Sequence, residues 1–454
     1  MKPIVIIHGW SDTSESFQRL AKKIESATQR PIEEVWLGDY ESMDNDIKLK
    51  DVVTRMNKVW HQAGLPTQPN SVDVIVHSTG GLVIRLWMQR FYTDKNEKAP
   101  IDNLVMLAPA NFGSPLAHKG RSLIGRVLKG HSSEKRFQTG THILKNLELA
   151  SPFTWELAQQ DRFREANPFN ASSPLGGVRC SVIVGNFGYP GIKGIANEPG
   201  SDGTVYIATA NLNCARLRID VNAESGEITP GLVDTAKGST AFLVLDRYDH
   251  SSITGNKGIK KKLIEPILRG LSVGHEDFAA WCSECDARTN TVMNKYKNRS
   301  NVAQHAYQNT VFRIRDDQGE DVTDYTIEFY GKFDDDTDKW ALRFNRDISR
   351  KCHPYKDNEA YRSFMINVTR LYKEVDEIDE ALQISLSAYP DFSEDGTSAG
   401  YKTFGTDEIG QITLNQASLT TFFQPNRTLL IDVVLPRYQA DNVFRLKDIA
   451  NINP

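Results

Sequence analysis

The stretch Val72-Asp-Val-Ile-Val-His-Ser78-Thr-Gly-Gly81-Leu-Val-Ile-Arg85 decides the fold of the first half of the chain. Its opening residues are mostly apolar and β-branched, which predicts a buried strand. The residues after the two glycines are apolar at helical spacing, which predicts a helix. A strand, a sharp turn with a central serine and a helix are typical of a nucleophile elbow. The alternative is an ordinary strand–helix turn in which Ser78 only caps the helix.

The elbow suits nucleophilic chemistry at Ser78. A serine hydroxyl is a weak nucleophile at neutral pH, so it must project from a tight turn to meet a base. The same turn leaves the backbone N–H of Thr79 at a helix start, where it can stabilise an oxyanion. Gly80 and Gly81 allow the helix to lie close to the strand, where a Cβ would clash.

Strands and helices alternate around this stretch from the N-terminus to about residue 115. Short apolar runs at residues 4–7, 35–37 and 104–107 predict strands, and the amphipathic segments between them predict helices. Single helices between strands imply a mostly parallel sheet with helices on both faces. In such sheets, functional sites lie at the carboxyl ends of the strands.

The alternation stops between about residues 116 and 177, where two or three helices are predicted. An all-helical insertion after a strand end is typical of a cap over a site. The first of these helices, residues 116–129, has a basic face and an apolar face that includes Leu123, Ile124 and Val127. The basic face indicates either a solvated surface or a transient interface with anionic lipid.

The second half of the chain has a different pattern. Strands return at residues 180–185 and 240–245, and a helix near residue 271 closes the first half. After about residue 286 the apolar period changes to two, and turn signals separate the runs, which predicts an all-β sandwich. We therefore expect an α/β domain at 1–272 with the cap at about 116–177, a linker at 273–300 and a β-sandwich domain at 301–454.

Composition excludes several classes of function. The chain of 454 residues has a net charge of −4, which gives no basis for binding nucleic acid. Its five cysteines do not form a disulfide framework. Cys282 and Cys285 lie in an apolar-periodic stretch that favours a core helix over a metal or redox site. No metal and no cofactor is therefore predicted.

The N-terminus shows no targeting segment, because Met1-Lys2-Pro3 runs directly into the strand at residues 4–7. No apolar run reaches membrane-spanning length. We therefore expect a cytoplasmic protein, with export by a route that needs no N-terminal signal as the alternative.

A serine nucleophile needs a histidine base. Among the ten histidines, His250 alone follows a late strand at the carboxyl edge of the predicted sheet, in a loop long enough to reach Ser78. His77 lies beside the serine, and its side chain is expected to point elsewhere on the elbow. His250 is therefore the predicted base.

The histidine in turn needs a carboxylate that fixes its tautomer. Asp202 lies in a glycine-flanked turn after the preceding strand. Asp246 and Asp249 are the alternatives, but they lie too near His250 in sequence to reach its Nδ1 easily. Asp202 is favoured, and the resulting order of serine, aspartate and histidine along the chain is that of α/β-hydrolases.

Together these motifs resemble the lipase and esterase branch of the α/β-hydrolase superfamily. The resemblance covers about residues 1–272 and is nearest to bacterial lipases and the GPI inositol-deacylase-like group. The C-terminal domain resembles no family that we recognise. The matching pieces are Val5-Ile-Ile-His-Gly-Trp10, Val76-His-Ser-Thr-Gly-Gly81-Leu-Val, Leu107-Ala-Pro-Ala-Asn-Phe-Gly-Ser-Pro115, Ser201-Asp-Gly-Thr-Val205 and His250.

The resemblance implies that the N–H of Trp10 joins that of Thr79 in an oxyanion hole. It also implies that the sheet begins at the strand that this family usually has third. One position departs from the family pattern, because Val76 stands where the first glycine of the elbow belongs. Small residues are usual there, where the backbone packs tightly.

The leading hypothesis is a serine carboxylic-ester hydrolase, a lipase or esterase that works through the predicted triad and an acyl-enzyme. The apolar side chains of Phe112, Leu123, Ile124 and Val127 suit a lipid or another long-chain acyl ester. A phospholipase, a thioesterase or an amidase would use the same residues. The competing hypothesis, motivated by Val76, is a non-catalytic binding protein on a hydrolase scaffold. In either case the sandwich domain is a candidate for binding a protein or lipid partner.

Overall fold

The computed structural model describes residues 2–7, 15–35, 46–117, 140–190, 197–224, 228–330, 342, 344–378, 382–393, 396, 398–402, 412–414 and 416–444. The chain divides into two compact units. The first comprises Met1–Ala215, Asp234–Asn309 and Pro425–Thr428. The second comprises Arg216–Val233, Thr310–Gln424 and Leu429–Pro454.

The described residues form eighteen strands and ten α-helices. The strands are β1 (Ile4–Ile7), β2 (Ile32–Val35), β3 (Val72–His77), β4 (Ile101–Leu107), β5 (Arg179–Gly185), β6 (Ala215–Val221), β7 (Ile228–Pro230), β8 (Asp234–Thr235), β9 (Ala241–Leu245), β10 (Tyr307–Asp316), β11 (Tyr325–Tyr330), β12 (Ser349–Pro354), β13 (Tyr361–Asn367), β14 (Leu382–Ala388), β15 (Ala399–Gly400), β16 (Ile412–Leu414), β17 (Thr428–Leu435) and β18 (Tyr438–Gln439). The helices are α1 (Glu15–Thr28), α2 (Leu49–Gln62), α3 (Gly80–Phe91), α4 (Thr141–Leu147), α5 (Pro152–Asp161), α6 (Ile207–Ala210), α7 (Lys261–Ser272), α8 (Phe278–Asn294), α9 (Val368–Ile378) and α10 (Gln416–Phe422). Within these described ranges, none of the helices combines the length and the apolar character that a membrane span requires.

A six-stranded sheet forms the centre of the first unit, with the strand order β2-β1-β3-β4-β5-β9. Every neighbouring pair is parallel. All residues of β1, β3, β4, β5 and β9 are buried. Because successive side chains of a strand point to opposite faces, both faces of this sheet are covered. The predicted α/β architecture is confirmed.

The predicted linker at 273–300 is wrong, because most of it forms α8, which belongs to the first unit. The indole Nε1 of Trp281 donates to Oγ of Ser181 on β5 over 2.9 Å. The hydroxyl of Thr289 accepts from the N–H of Val244 on β9 over 3.0 Å. Trp281 and Thr289 are about two helical turns apart and so lie on one face, which packs on the sheet.

Two helices, α4 and α5, lie within the predicted cap segment. The first predicted cap helix, residues 116–129, lies almost entirely outside the described residues, and this includes Leu123, Ile124, Val127 and the basic face. Within the described part of this segment, residues 141–147 and 152–161 are helical, as the sequence indicates, and residues 162–177 form turns and irregular chain.

The C-terminal region is built mainly of β-sheet, as predicted, and it also contains α9 and α10. One of its sheets has the strand order β12-β13-β10-β17-β6-β7, and another consists of β11, β14 and β16 paired antiparallel. Strands β6 and β7 come from chain before residue 272, so this region does not begin at residue 301 as expected. Helix α9 follows β13 directly, and its residues Val368 and Leu371 are buried at helical spacing.

Candidate active site

Ser78 lies between β3 and α3 with a φ of 54°, in the left-handed region of backbone conformation. A non-glycine residue adopts this conformation rarely, and the nucleophile elbow is a strained turn of this kind. The glycine after the turn is required by space, because a Cβ on Gly81 would lie 2.7 Å from the Cβ of Pro109. The strand, the turn and the helix of an elbow are therefore all present.

The structure brings Ser78, His250 and Asp202 together. Nε2 of His250 lies 3.0 Å from Oγ of Ser78, and Nδ1 of His250 lies 2.9 Å from Oδ2 of Asp202. The histidine follows β9 and the aspartate follows β5, so all three residues come after parallel strands of one sheet. Both His250 and Asp202 are buried.

The hydrogen-bond pattern assigns the protons of this chain of contacts. An ionised carboxylate only accepts, so Nδ1 of His250 carries a proton and donates it to Asp202. Nε2 of the neutral ring is then unprotonated and accepts from the hydroxyl of Ser78. This tautomer is the one that a general base for a serine hydroxyl needs.

Backbone donors hold the carboxylate of Asp202. Its Oδ1 accepts from the N–H of Thr204 over 3.0 Å and from that of Val205 over 2.8 Å, which leaves Oδ2 for His250. Gly203 makes the intervening turn with a φ of 96°, a conformation that favours glycine. The orientation of the carboxylate is therefore set by the turn in which it lies.

The two alternative acids have other partners. Oδ1 of Asp249 accepts from the N–H groups of Ser251 and Ser252, and its Oδ2 pairs with Nζ of Lys257 at 2.6 Å. Asp249 therefore shapes the loop that carries His250. The carboxylate of Asp246 accepts from the hydroxyl of Tyr296 over 2.6 Å.

The N–H of Thr79 is a candidate oxyanion donor. Thr79 has a helical backbone conformation at the start of α3, directly after Ser78. Among the residues that the structure describes, the N–H of Thr79 has no hydrogen-bond acceptor. Trp10, the second predicted donor, lies outside the described residues, so its role stays a prediction.

Val76 lies in β3, and its side chain is fully buried. In the parallel ladders it is paired with Ile7 of β1 and Met106 of β4. Its β-branched side chain therefore belongs to the sheet and the core rather than to the turn at Ser78. A valine at the first position of the elbow pattern is accommodated without loss of the turn.

Phe112, the one predicted substrate-binding residue that the structure describes, is only 2% exposed. Its N–H donates to the carbonyl of Thr209 over 2.9 Å, and the guanidinium of Arg85 lies 5.8 Å from the centroid of its ring. These contacts give it a packing role. Its contact with an acyl chain stays a prediction.

Sequence reasoning missed a buried ion pair close to the elbow. Arg85 on α3 binds Asp161 through two hydrogen bonds of 2.7 and 2.9 Å, and neither residue is more than 1% exposed. Nη1 of the same arginine donates to the carbonyl of Asn111 over 3.0 Å. An arginine within an apolar-periodic helix was the available signal, but nothing local indicated its partner.

Tyr189 was also missed. Its hydroxyl lies 3.0 Å from Oγ1 of Thr204 and accepts from Oγ of Ser251 over 3.4 Å. Thr204 is two residues from Asp202, and Ser251 follows His250. Tyr189 therefore links the loop that carries Asp202 to the loop that carries His250. Burial raises the pKa of Tyr189 well above its usual range, so the hydroxyl stays protonated and available as a donor.

His77, whose side chain is expected to point elsewhere on the elbow, lies next to His250. Nε2 of His77 is 3.2 Å from the backbone carbonyl oxygen of His250, and the two ring centroids are 4.7 Å apart. His77 ends β3, and its side chain turns towards the loop after β9.

The parallel sheet, the elbow and the chain order of serine, aspartate and histidine are the features of the α/β-hydrolase fold. Residues 3–171 match the family model described as palmitoyl protein thioesterase. The predicted resemblance to the α/β-hydrolase superfamily is confirmed. The chain matches no curated protein sequence.

Among solved structures, the fold is similar to that of phospholipase PlaB from Legionella pneumophila. The identity is 22%, the match covers 99% of this chain and 97% of that chain, and the TM-score is 0.80. The values are the same for PlaB alone and for its complex with thio-NAD. The mature lipase BlEst2 from Bacillus licheniformis has a TM-score of 0.37 at 15% identity, and the match covers 59% of this chain and 91% of that chain. The PlaB match extends the shared fold over both units.

Proposed function

We propose that the protein is a serine hydrolase that cleaves acyl esters of lipids, with Ser78 as nucleophile, His250 as base and Asp202 as orienting acid. The observation that carries this proposal is one continuous set of contacts. A serine with positive φ meets a histidine at 3.0 Å, and that histidine meets a buried aspartate at 2.9 Å. Such a set supplies a nucleophile, a base and an orienting group in hydrogen-bond reach of one another.

The first half-reaction forms an acyl-enzyme. Oγ of Ser78 attacks the acyl carbonyl carbon while Nε2 of His250 takes the hydroxyl proton, and the carbonyl oxygen becomes an oxyanion. The N–H of Thr79 stabilises that oxyanion. As the carbon–oxygen or carbon–sulfur bond to the leaving group breaks, Nε2 of His250 returns the proton to the departing alcohol or thiol.

The second half-reaction restores the enzyme. Nε2 of His250 takes a proton from water, and the resulting hydroxide attacks the acyl carbon bound to Ser78. Collapse of the second oxyanion breaks the ester bond to Oγ, which regains its proton from His250. The acyl group leaves as a carboxylic acid, and Asp202 stabilises the imidazolium in both halves.

Two classes of lipid substrate have specific support. The family model that matches residues 3–171 is described as palmitoyl protein thioesterase, which supports a long-chain thioester. The structure matching over nearly the whole chain is described as a phospholipase, which supports a phospholipid ester. Both substrates present an acyl carbonyl to the same three residues, so an assay must separate them.

The test compares turnover of p-nitrophenyl butyrate, palmitoyl-coenzyme A and phosphatidylcholine vesicles by wild-type protein, Ser78→Ala and the control Ser283→Ala. Ser283 lies on the exposed part of α8, where its hydroxyl donates to the carbonyl of Ala279. We expect Ser78→Ala to lose about 10⁴ to 10⁶-fold in turnover and the control to lose none. The preferred substrate distinguishes the phospholipase from the thioesterase.

Labelling by a fluorophosphonate probe gives an independent readout. The probe reacts with activated serines, so it should label the wild type and Ser283→Ala but not Ser78→Ala. Folded wild type that is neither labelled nor active would favour the alternative of a binding protein on a hydrolase scaffold.

Two finer expectations remain proposals. We propose a cytoplasmic location, which cell fractionation tests. We also propose that the C-terminal region binds a lipid or protein partner. Flotation of the full chain with phosphatidylglycerol vesicles, compared with phosphatidylcholine vesicles, tests the lipid partner.

A further inference from the structure

His77 holds the backbone of the proposed base. Nε2 of His77 lies 3.2 Å from the carbonyl oxygen of His250, and the ring planes are inclined by 41° with centroids 4.7 Å apart. Each of the two residues is 2% exposed. Because His77 is bonded directly to Ser78 in the chain, this contact joins the strand of the nucleophile to the loop of the base.

The direction of this hydrogen bond is fixed by its acceptor. A backbone carbonyl only accepts, so Nε2 of His77 carries a proton and donates it. On its other side, the N–H of His250 donates to the carbonyl of Asp202 over 3.0 Å. The peptide groups around the base are therefore held from both sides.

Two sets of contacts thus run in parallel. The side chains of Ser78, His250 and Asp202 form one set. The side chain of His77, the backbone of His250 and the backbone of Asp202 form the other. The second set fixes the peptide from which the imidazole projects, and the first set uses that imidazole.

The loop that carries the base needs such support. It contains Arg247 with a φ of 64° and follows the last strand of the parallel sheet, so its neighbours on the far side are not further strands of that sheet. A displacement of about 1 Å between a nucleophile and its base can cost about 10²-fold in rate. The distance between Nε2 and Oγ therefore depends on whatever anchors the backbone of His250.

We propose that His77 is a positioning residue for the reaction, acting through the carbonyl of His250 to keep the base in reach of Ser78. The inference rests on the proposed function. Packing alone does not account for an imidazole here. His77 also lies against Phe17, at 5.6 Å between ring centroids, and an apolar ring in place of the imidazole would leave the carbonyl of His250 without this donor.

The test separates the contribution of the hydrogen-bond donor of His77 from that of its aromatic ring. His77→Phe keeps a ring of similar size and removes the donor, whereas His77→Gln keeps a donor amide and removes the ring. Phe17→Leu is the matched control, because it alters the packing around the same imidazole and leaves the hydrogen bond in place. Steady-state kinetics on p-nitrophenyl butyrate and the rate of fluorophosphonate labelling are measured for each, with the unfolding temperature as a check on folding.

We expect His77→Phe to lower kcat by about 10²-fold with KM within about twofold, since the substrate contacts are unchanged. The labelling rate should fall in parallel, because the probe needs the same base. His77→Gln should retain most of the activity that His77→Phe loses. Phe17→Leu should have a kcat near that of the wild type.

The inference would be overturned by an unchanged kcat in His77→Phe, or by equal losses of kcat in the Phe and Gln variants. In either case, an active wild-type protein would leave the proposed function standing. Should the Phe variant fail to fold, His77→Met replaces it as the variant without a donor, and the same comparison with His77→Gln applies. Wild-type protein that neither turns over esters nor reacts with the probe overturns the proposed function and this inference with it.

Discussion

Asp202 and His250 are joined twice, once through their side chains at 2.9 Å and once through the N–H of His250 and the carbonyl of Asp202 at 3.0 Å. The first contact orients the imidazole ring, and the second holds the peptide from which the ring projects. Asp202 is therefore joined to His250 by two separable hydrogen bonds, of which only one depends on the carboxylate.

Replacing the carboxylate while keeping the backbone contact should damage catalysis but not folding. In Asp202→Asn, the amide can donate to Nδ1 of His250 and so favour the tautomer that cannot accept from Ser78. We expect kcat to fall by about 10⁴-fold, as for loss of the orienting acid in other triads. The unfolding temperature should change little. The control is Asp249→Asn, which should lose far less activity, and the reverse ranking would make Asp249 the acid.

Val76→Gly places the glycine of the family pattern at the elbow. Because the buried valine side chain packs in the sheet, its removal should lower the free energy of unfolding by about 3 kcal/mol. Turnover per folded molecule at low temperature should remain within about threefold of wild type. Urea titration and kinetics at 15 °C measure the two effects. A rise in kcat of tenfold or more would mean that the valine distorts the turn.

Asp161→Asn breaks the buried pair with Arg85 and leaves a guanidinium unpaired in the core. Loss of one partner of a buried ion pair costs about 3 to 5 kcal/mol. The exposed pair of Arg218 and Asp220 offers a matched comparison, since both side chains are more than half exposed. Asp220→Asn should cost less than about 1 kcal/mol. Chemical denaturation measures both variants, and similar costs would contradict the assignment of the Arg85 pair as a core interaction.

Asp246 should contribute stability that depends on pH. Partial burial raises the pKa of this carboxyl, but hydrogen bonds from Tyr296, Lys295 and Asn186 outweigh it and hold the pKa below its usual range. A depressed pKa stabilises the fold above the unfolded value of about 3.9, and that stability is lost as the pH falls through the folded value. The difference in unfolding free energy between wild type and Asp246→Asn should be constant from pH 7 to about 5 and shrink below about 4. A difference that grows on acidification would contradict this.

The buried thiols should play no part in the chemistry. Burial raises the pKa of Cys180 to about 12 and that of Cys214 to about 11, so neither is ionised at neutral pH. Iodoacetamide at pH 8 should leave the ester hydrolase active and should modify these two residues only after unfolding. Mass spectrometry of the treated protein locates the label. Rapid inactivation with modification of either residue would contradict a reaction in which a serine is the only nucleophile.

The parts of the site that follow from strand order were accessible from sequence. The carboxyl ends of parallel strands meet at one edge, so residues after β3, β5 and β9 had to be neighbours once the alternation of strands and helices was recognised. Spacing and residue type then selected Ser78, Asp202 and His250, and the structure brings these three side chains into one set of hydrogen bonds.

Contacts between distant segments left no local pattern. Arg85 and Asp161 are 76 positions apart, and the sequence around either residue does not indicate the other as its partner. The direction of the His77 side chain depends on how β3 ends against a loop that lies 173 positions later. The apolar periodicity around Cys285 indicates a core helix, but the sequence does not show that this helix covers β9, so residues 273–300 are predicted as a linker.

Neither unit is one continuous stretch of chain that could be added or removed at one end of the protein. The chain passes from one unit to the other five times, and the last return to the first unit is the four-residue segment Pro425–Thr428. There the carbonyl of Asn426 accepts from Nδ2 of Asn211 over 2.8 Å, and the hydroxyl of Thr428 donates to the carbonyl of Ala208 over 3.1 Å. A stop codon after residue 272 would remove α8 and this segment together. A single cut in the chain therefore cannot separate one unit from the other.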